Sequence, residues 1–249
     1  MEISAHPPGT PAWTDVTSPD TAASAAFYSG LFGWEVRSGG PAAGGYRICT
    51  LRGTPVAGLG PQFEPGVPPF WTTYFAVTDV GSATEDVRAA GGEVLMSPRD
   101  VPGQGRVAVL VDPTGAVLAL REPTGGSGTG LVAEPGAPVW HELATRDPDK
   151  ARAFYGRVFG WASTVHPGPV DYTEWLLGGR GVGGMLRLDD SWAPEVPAHW
   201  LDYFAVDDLP RATARVVELG GGITAAPPDR PMAVARDPFG AHFGLLAPG

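Results

Sequence analysis

The sequence predicts an α+β fold built from a duplicated βαβββ module, and three observations carry that prediction. The first is an internal repeat. PAWTDVTSPDTAASAAFYSGLFGWEV begins at Pro11, and PVWHELATRDPDKARAFYGRVFGWAS begins at Pro138. Trp13, Asp20, Phe27, Tyr28, Phe32, Gly33 and Trp34 recur as Trp140, Asp147, Phe154, Tyr155, Phe159, Gly160 and Trp161, offset by 127 positions. YFAVTDV recurs as YFAVDDL, RAAGGEV as VELGGGI, and VDPTGAVLAL as RDPFGAHFGL, in the same order. A fixed order of matching motifs in two halves is duplication. The second observation is the periodicity, which alternates between helical spacing and period two within each half. The third is the length: 249 residues suit two domains of roughly 120 each.

The elements of the first half follow in order. Trp13 to Thr17 reads as a strand. Ser18 and Pro19 read as an N-cap and a first helical residue. Ala22, Ala26, Phe27 and Leu31 then recur at helical spacing, and Gly33 ends the helix. A hairpin is expected over Tyr46 to Leu51 and Val56 to Leu59. FWTTYFAV is a further strand. A second helix runs from Val80 to Ala90, starting near Asp79 and ending at Gly91 and Gly92. Two closing strands, Arg106 to Val111 and Ala116 to Arg121, flank the turn DPTG. The second half reads the same way. The expected boundaries are residues 9–123 for the first module, 124–136 for a Gly-rich linker and 137–249 for the second module.

Composition narrows the function. Apolar residues make up 43%, enough for a core. The formal net charge of −10 opposes binding to a phosphate backbone, so no nucleic-acid partner is expected. No apolar run approaches the roughly 18 residues of a membrane span. The N-terminus MEISAHPPGTP lacks the basic start and apolar run of a signal peptide. The expectation is a cytoplasmic protein that meets no membrane, as a monomer or homodimer. The single cysteine, Cys49, lies in the apolar run YRICTL and reads as a buried strand thiol. It rules out an internal disulfide and a cysteine-based zinc site. Gly 36 and Pro 27 fit many tight turns between short strands.

The short strand, then D-x5-A-F-Y, LFGW, YFAV-x-D and DP-x-G together resemble the vicinal oxygen chelate superfamily: glyoxalase I, the bleomycin resistance proteins and the extradiol dioxygenases. The tandem arrangement is similar to the actinobacterial type labelled 27 kDa antigen or glyoxalase-like hydroxylase. The resemblance spans both halves. It implies tandem βαβββ modules forming curved mixed sheets around a cavity. It also implies a divalent metal held by His and Glu from several strands, which would polarise vicinal oxygens of a substrate. The positions where those ligands fall are Trp13, Thr72 and Ala119 in the first half, and Trp140, Leu201 and Gly244 in the second. None of the six is a strong ligand, so no metal cofactor is expected. The alternative is a divergent site on His199 and His242, which lie in phase with Leu201 and Gly244. Of the other histidines, His6 is expected in a frayed terminus, His166 in a loop, and His141 on the side of its strand opposite Trp140.

Alternation nominates the cavity lining: Trp13 and Asp15, Trp140 and Glu142, Thr72, Tyr74, His199 and Tyr203, Arg121 and His242. Aromatic walls with few polar groups suit a flat organic ligand. Trp13, Trp140, Thr72, Tyr74, Tyr203 and Arg121 are the candidate ligand contacts. His242, Glu142, His199 and Asp15 are the candidate acids and bases. The competing reading is structural. Trp13 and Trp140 would pack the joint between modules, Asp15 and Glu142 would pair with Arg121 or cap backbone, and the histidines would be plain strand residues. Phe27, Tyr28, Phe154 and Tyr155 are expected in the core. Two functions follow. One is metal-independent binding of an aromatic or polycyclic metabolite, for sequestration, resistance or delivery in secondary metabolism. The other is a cofactor-free or divergent enzyme (lyase, isomerase, cyclase or hydroxylase) using acid–base chemistry.

Overall fold

The computed structural model describes residues 1–40, 43–62, 64, 66–101, 105–123, 128–168 and 171–247. Each expected module is itself a pair of βαβββ units. Unit one comprises β1 (Pro11–Ser18), α1 (Thr21–Phe32), β2 (Glu35–Ser38), β3 (Arg47–Leu51) and β4 (Thr54–Pro61). Unit two comprises β5 (Trp71–Ala76), α2 (Val80–Ala89), β6 (Glu93–Val101), β7 (Gly105–Val111) and β8 (Val117–Glu122). Unit three comprises β9 (Pro138–Thr145), α3 (Pro148–Phe159), β10 (Ala162–His166), β11 (Tyr172–Leu177) and β12 (Arg180–Arg187). Unit four comprises β13 (His199–Ala205), α4 (Leu209–Glu218), β14 (Gly222–Ala225), β15 (Met232–Arg236) and β16 (His242–Leu246).

Each half forms one open mixed sheet of eight strands, ordered β2-β3-β4-β1-β5-β8-β7-β6 and β10-β11-β12-β9-β13-β16-β15-β14. The first strand of a unit pairs in parallel with its last, and the two units of a half meet through antiparallel β1 and β5, or β9 and β13. β2 and β6 extend the sequence reading. Both are sheet edges; β2 is largely exposed and Pro98 interrupts β6, as edge strands tolerate.

All four helices start at an aspartate side chain that accepts from the first turn: Asp20, Asp79, Asp147 and Asp208. The cap of α1 is therefore Asp20, not Ser18. Ser18 ends β1, and its hydroxyl accepts from the Asp20 amide and the Ser24 hydroxyl. Gly33 and Gly160 end α1 and α3 in the left-handed conformation, at φ 73° and 70°.

The halves do not have separate cores. One cluster joins Val16, Phe27, Tyr28, Phe32, Trp34 and Trp71 of the first half to Phe204, Val216, Phe243 and Leu245 of the second. The other joins Phe75, Val80, Val87, Leu110 and Leu118 to Leu143, Phe154, Tyr155, Phe159, Trp161 and Trp200. Unit one thus packs with unit four, and unit two with unit three.

The repeated motifs are the struts of this exchange. Tyr28 donates to Asp237 Oδ2 at 3.0 Å, and Tyr155 donates to Asp112 Oδ2 at 2.7 Å. The indoles of Trp71 and Trp200 donate to the same two hydroxyls. The other oxygen of each aspartate closes its own DP-x-G turn by accepting backbone amides. Trp34 donates to the Gly136 carbonyl at 2.6 Å, and Trp161 to the Gly9 carbonyl at 2.8 Å. Each FGW tryptophan therefore grips the segment that leads into the other half. Gly9 and Gly136 carry φ of 85° and 83°, which only glycine takes easily. Between the sheets, Asp202 accepts from the hydroxyls of Thr14 and Thr73 and pairs with His141 Nδ1 at 2.5 Å. His141 faces away from Trp140, as alternation requires.

The segment between the halves packs on the first half where it is described: Leu131 is buried, and the Thr129 and Gly130 amides donate to Ala12 and Pro55. Residues 124–127 of the expected linker lie outside the described residues. The N-terminus is not frayed. Glu2 bridges Leu131, and the two ring nitrogens of His6 lie 3.2 and 3.0 Å from the carbonyls of Pro11 and Thr129. Cys49 is fully buried, and burial pushes its thiol up to about 12. No helix among the described residues is long and apolar enough to cross a membrane.

Replacing Tyr155 with Phe strands the Trp200 indole N–H and Asp112 Oδ2 in the shared core. Urea denaturation is expected to show a loss of about 1–3 kcal/mol. An unchanged midpoint would contradict the strut.

Candidate functional site

The face of each sheet opposite the shared core carries the candidate lining. In the first half, alternation along β1 brings Trp13 and Asp15 to this site face. Pairing then sets Tyr74 beside Trp13 and Thr72 beside Asp15. The pairing of β5 with β8 sets Ala119 and Arg121 on the same side.

A closed network follows. Trp13 Nε1 donates to Tyr46 Oη at 2.8 Å, Tyr46 donates to Asp15 Oδ2 at 2.9 Å, and Tyr74 donates to the same oxygen at 2.8 Å. Burial pushes the Asp15 carboxyl up to about 6; the two tyrosine hydrogen bonds act the other way. The Arg121 guanidinium lies 5.4 Å from the centre of the Trp13 ring. Asp15 and Arg121 form no ion pair; the tyrosines, not Arg121, hold the carboxyl.

The second half repeats the design with changes. Trp140 Nε1 donates to Tyr172 Oη at 2.8 Å, and Tyr203 donates to Glu142 Oε1 at 3.1 Å. Burial raises the Glu142 carboxyl above its ordinary range, against the hydrogen bonds from Tyr203 and Tyr172 and the charge of Arg230. Trp140 and Glu142 are partly exposed, whereas Trp13 and Asp15 are buried; of the tyrosines, Tyr46 and Tyr172 are partly exposed and Tyr74 and Tyr203 buried. Trp13 and Trp140 thus turn away from the joint, which is built on the opposite sheet faces.

Tyr46 and Tyr172 were not nominated by alternation. Their signal lies in the repeat: Tyr46 immediately precedes β3 and Tyr172 opens the matching strand β11, and each ring reaches diagonally over a glycine of the neighbouring strand. A Cβ at Gly58 would strike the Tyr46 hydroxyl, and one at Gly184 the Tyr172 hydroxyl. Gly244 likewise leaves room for the Tyr203 ring, where the first half has Ala119.

His199 and His242 share the second site face at its rim. His199 Nδ1 lies 2.9 Å from the Pro197 carbonyl. Partial burial lowers the affinity of His242 for a proton, and the charges of His199 and Arg236 act in the same direction. Among the described residues no hydrogen bond joins either histidine to Glu142, so the expected acid–base pair is not assembled. A separate surface cleft of about 270 Å³ opens between the end of α1 and the start of α4, away from both site faces.

The residues present do not fit the metal that the family resemblance implies. The corresponding positions carry indole, hydroxyl, methyl, isobutyl and hydrogen, and among the described residues no three His, Cys, Asp or Glu converge.

Residues 10–120 match the family described as the glyoxalase/bleomycin resistance protein/dioxygenase superfamily, and residues 140–246 match the glyoxalase-like domain. The chain is 38% identical over 251 residues to the putative glyoxylase CFP32 of Mycobacterium bovis, covering 96% of this chain and 95% of that protein. It is 40% identical over 259 residues to the anthracycline biosynthesis protein DnrV of Streptomyces peucetius, covering 96% and 93%. Among solved structures, the Mn(II)-bound glyoxalase from Novosphingobium aromaticivorans superposes with a TM-score of 0.66 at 17% identity, covering 96% of this chain and 82% of that one. At that identity the likeness concerns the fold alone.

The raised Asp15 carboxyl gives a pH dependence of fixed sign. Between about pH 4 and 6 the unfolded chain ionises while the folded chain keeps its proton. The stability that Asp15 contributes is thus present below about pH 4 and lost as the pH rises through 6, by about 2–3 kcal/mol. Asp15→Asn is expected to gain that much on the wild type between pH 4 and 7 in urea titrations. A pH-independent difference would contradict the assignment.

Proposed function

The chain belongs to the glyoxalase/bleomycin resistance protein/dioxygenase superfamily, and on that premise we propose that it binds a small, flat, aromatic or polycyclic metabolite without a metal. The observation that carries this reading is the partly exposed cluster of Trp140, Tyr172, Glu142 and Tyr203 on the second site face. Its rings offer stacking surface, and a carboxyl held toward its neutral form can donate a hydrogen bond to a carbonyl or quinone oxygen. The likeness to a protein named for anthracycline biosynthesis supports secondary metabolism as the setting, with sequestration, resistance or delivery in the cytoplasm as the task. Trp13, Thr72 and Tyr74 would form the matching wall in the first half.

A second reading, an acid–base enzyme on the same face, is supported by the raised Glu142 carboxyl with His199 and His242 at the rim. In that case the bound molecule would change chemically on incubation, and Glu142→Gln would stop the change while leaving binding in place.

Titrating the protein with a panel of planar aromatic metabolites should quench tryptophan fluorescence saturably. Trp140→Ala should weaken binding about tenfold. A panel that gives no saturable quenching would overturn the binding reading.

A further inference from the structure

Arg121 is the one side chain of the first site face that the network around Asp15 leaves unexplained. It is 2% exposed, yet its Nε and Nη1 have no hydrogen-bond partner among the described residues. The Trp13 face attracts the cation but offers no acceptor. The carboxylate of this face, Asp15, already accepts two tyrosine hydroxyls. His6, which also feels the charge of Arg121, and Arg99, which shares Tyr74 with it, bring no negative charge. A guanidinium does not give up its proton in a protein, so the charge stays. Buried guanidinium donors without acceptors are a costly arrangement for a fold to hold.

The second half shows that the scaffold does not need this cation. Arg121 sits beside Ala76 on β5, and the corresponding pair in the second half is Leu246 beside Ala205. An aliphatic side chain fills the position there. Around the guanidinium, Val107 and Ala119 are buried, and Ile48, Met96, Val101 and Val109 pack partly buried against the same cluster. The setting is a cation with free donors in an aromatic and aliphatic surround.

We propose that the first site face binds a planar organic acid, its carboxylate on the free N–H groups of Arg121 and its ring system among Trp13, Ile48, Met96 and Val109. The inference rests on the reading that the site faces take flat organic molecules, and it adds the charge of the ligand. Carboxylate and guanidinium match in geometry, and the bond is charge-assisted on both sides. Asp15 and its tyrosines hold Trp13 in place beneath the guanidinium. The second face, with Leu246, lacks this selectivity for an acid.

The test is to titrate the full chain with anthraquinone-2-carboxylate and with its methyl ester, following tryptophan fluorescence and calorimetry. The wild type is expected to bind the acid about tenfold or more tightly than the ester. Arg121→Leu, which copies the second half, should bring that ratio to about one. It should also melt at or above the wild-type temperature, because the unpaired charge is gone. Arg121→Gln serves as the second variant if the leucine form does not fold. Equal binding of acid and ester by the wild type, or a preference that survives in Arg121→Leu, would overturn the proposal and leave the binding of flat molecules standing. Failure of both ligands to bind would overturn the proposal, and the panel titration then decides the binding reading separately.

Discussion

The hydroxyl of Tyr155 on Asp112, mirrored by Tyr28 on Asp237, is the bond around which the molecule is arranged. Each tyrosine belongs to the first helix of one half, and each aspartate to the closing turn of the other. The apolar side chains follow the same exchange, so that unit one completes the core of unit four and unit two that of unit three. A half on its own would expose Phe154, Trp161 and their neighbours, an apolar surface too large to be left in water. Duplication here is a requirement of the core. One face of each sheet is committed to the exchange, and the opposite face carries the candidate site.

The two free faces share a plan and differ in chemistry. Both gather a tryptophan, a carboxyl and two tyrosines, joined in one network in the first half and as two hydrogen-bonded pairs in the second, over glycines that make room for the rings. In the first half the tryptophan and the carboxyl are buried, and a cation stands over the tryptophan. In the second it is partly open, with two histidines at its rim and leucine in place of the arginine. A Mn(II)-bound glyoxalase shares the fold, but Trp13, Thr72 and Ala119, like Trp140, Leu201 and Gly244, carry no strong ligand for a divalent ion. What these residues present instead is aromatic surface and carboxyls that burial raises above their ordinary range.

Much of this was legible in the sequence, because the strongest signals there are the ones that physics repeats. Period-two alternation placed Trp13, Asp15, Tyr74 and Arg121 together, and it turned His141 to the opposite face. The AFY, FGW and DP-x-G motifs announced the duplication, although their task as struts between halves cannot be read from one chain: a tyrosine in a core helix looks the same whichever core it enters. Tyr46 and Tyr172 escaped because they sit at the very start of their hairpins, and only the glycine under each ring marks the position. Ser18 competed with Asp20 for the helix cap, and the aspartate two residues later won. β2 and β6 carry little apolar alternation because edge strands bury little. The ordering of His6 depends on Thr129, far along the chain, and no local pattern reports it.

Native-state hydrogen exchange followed residue by residue tests the exchange of cores most directly. The amides of β4 in unit one should open with those of β16 in unit four, at a shared free energy, and those of β7 with those of β12. If β1 to β8 instead open together as one body and β9 to β16 as another, each half has its own core and the account is wrong.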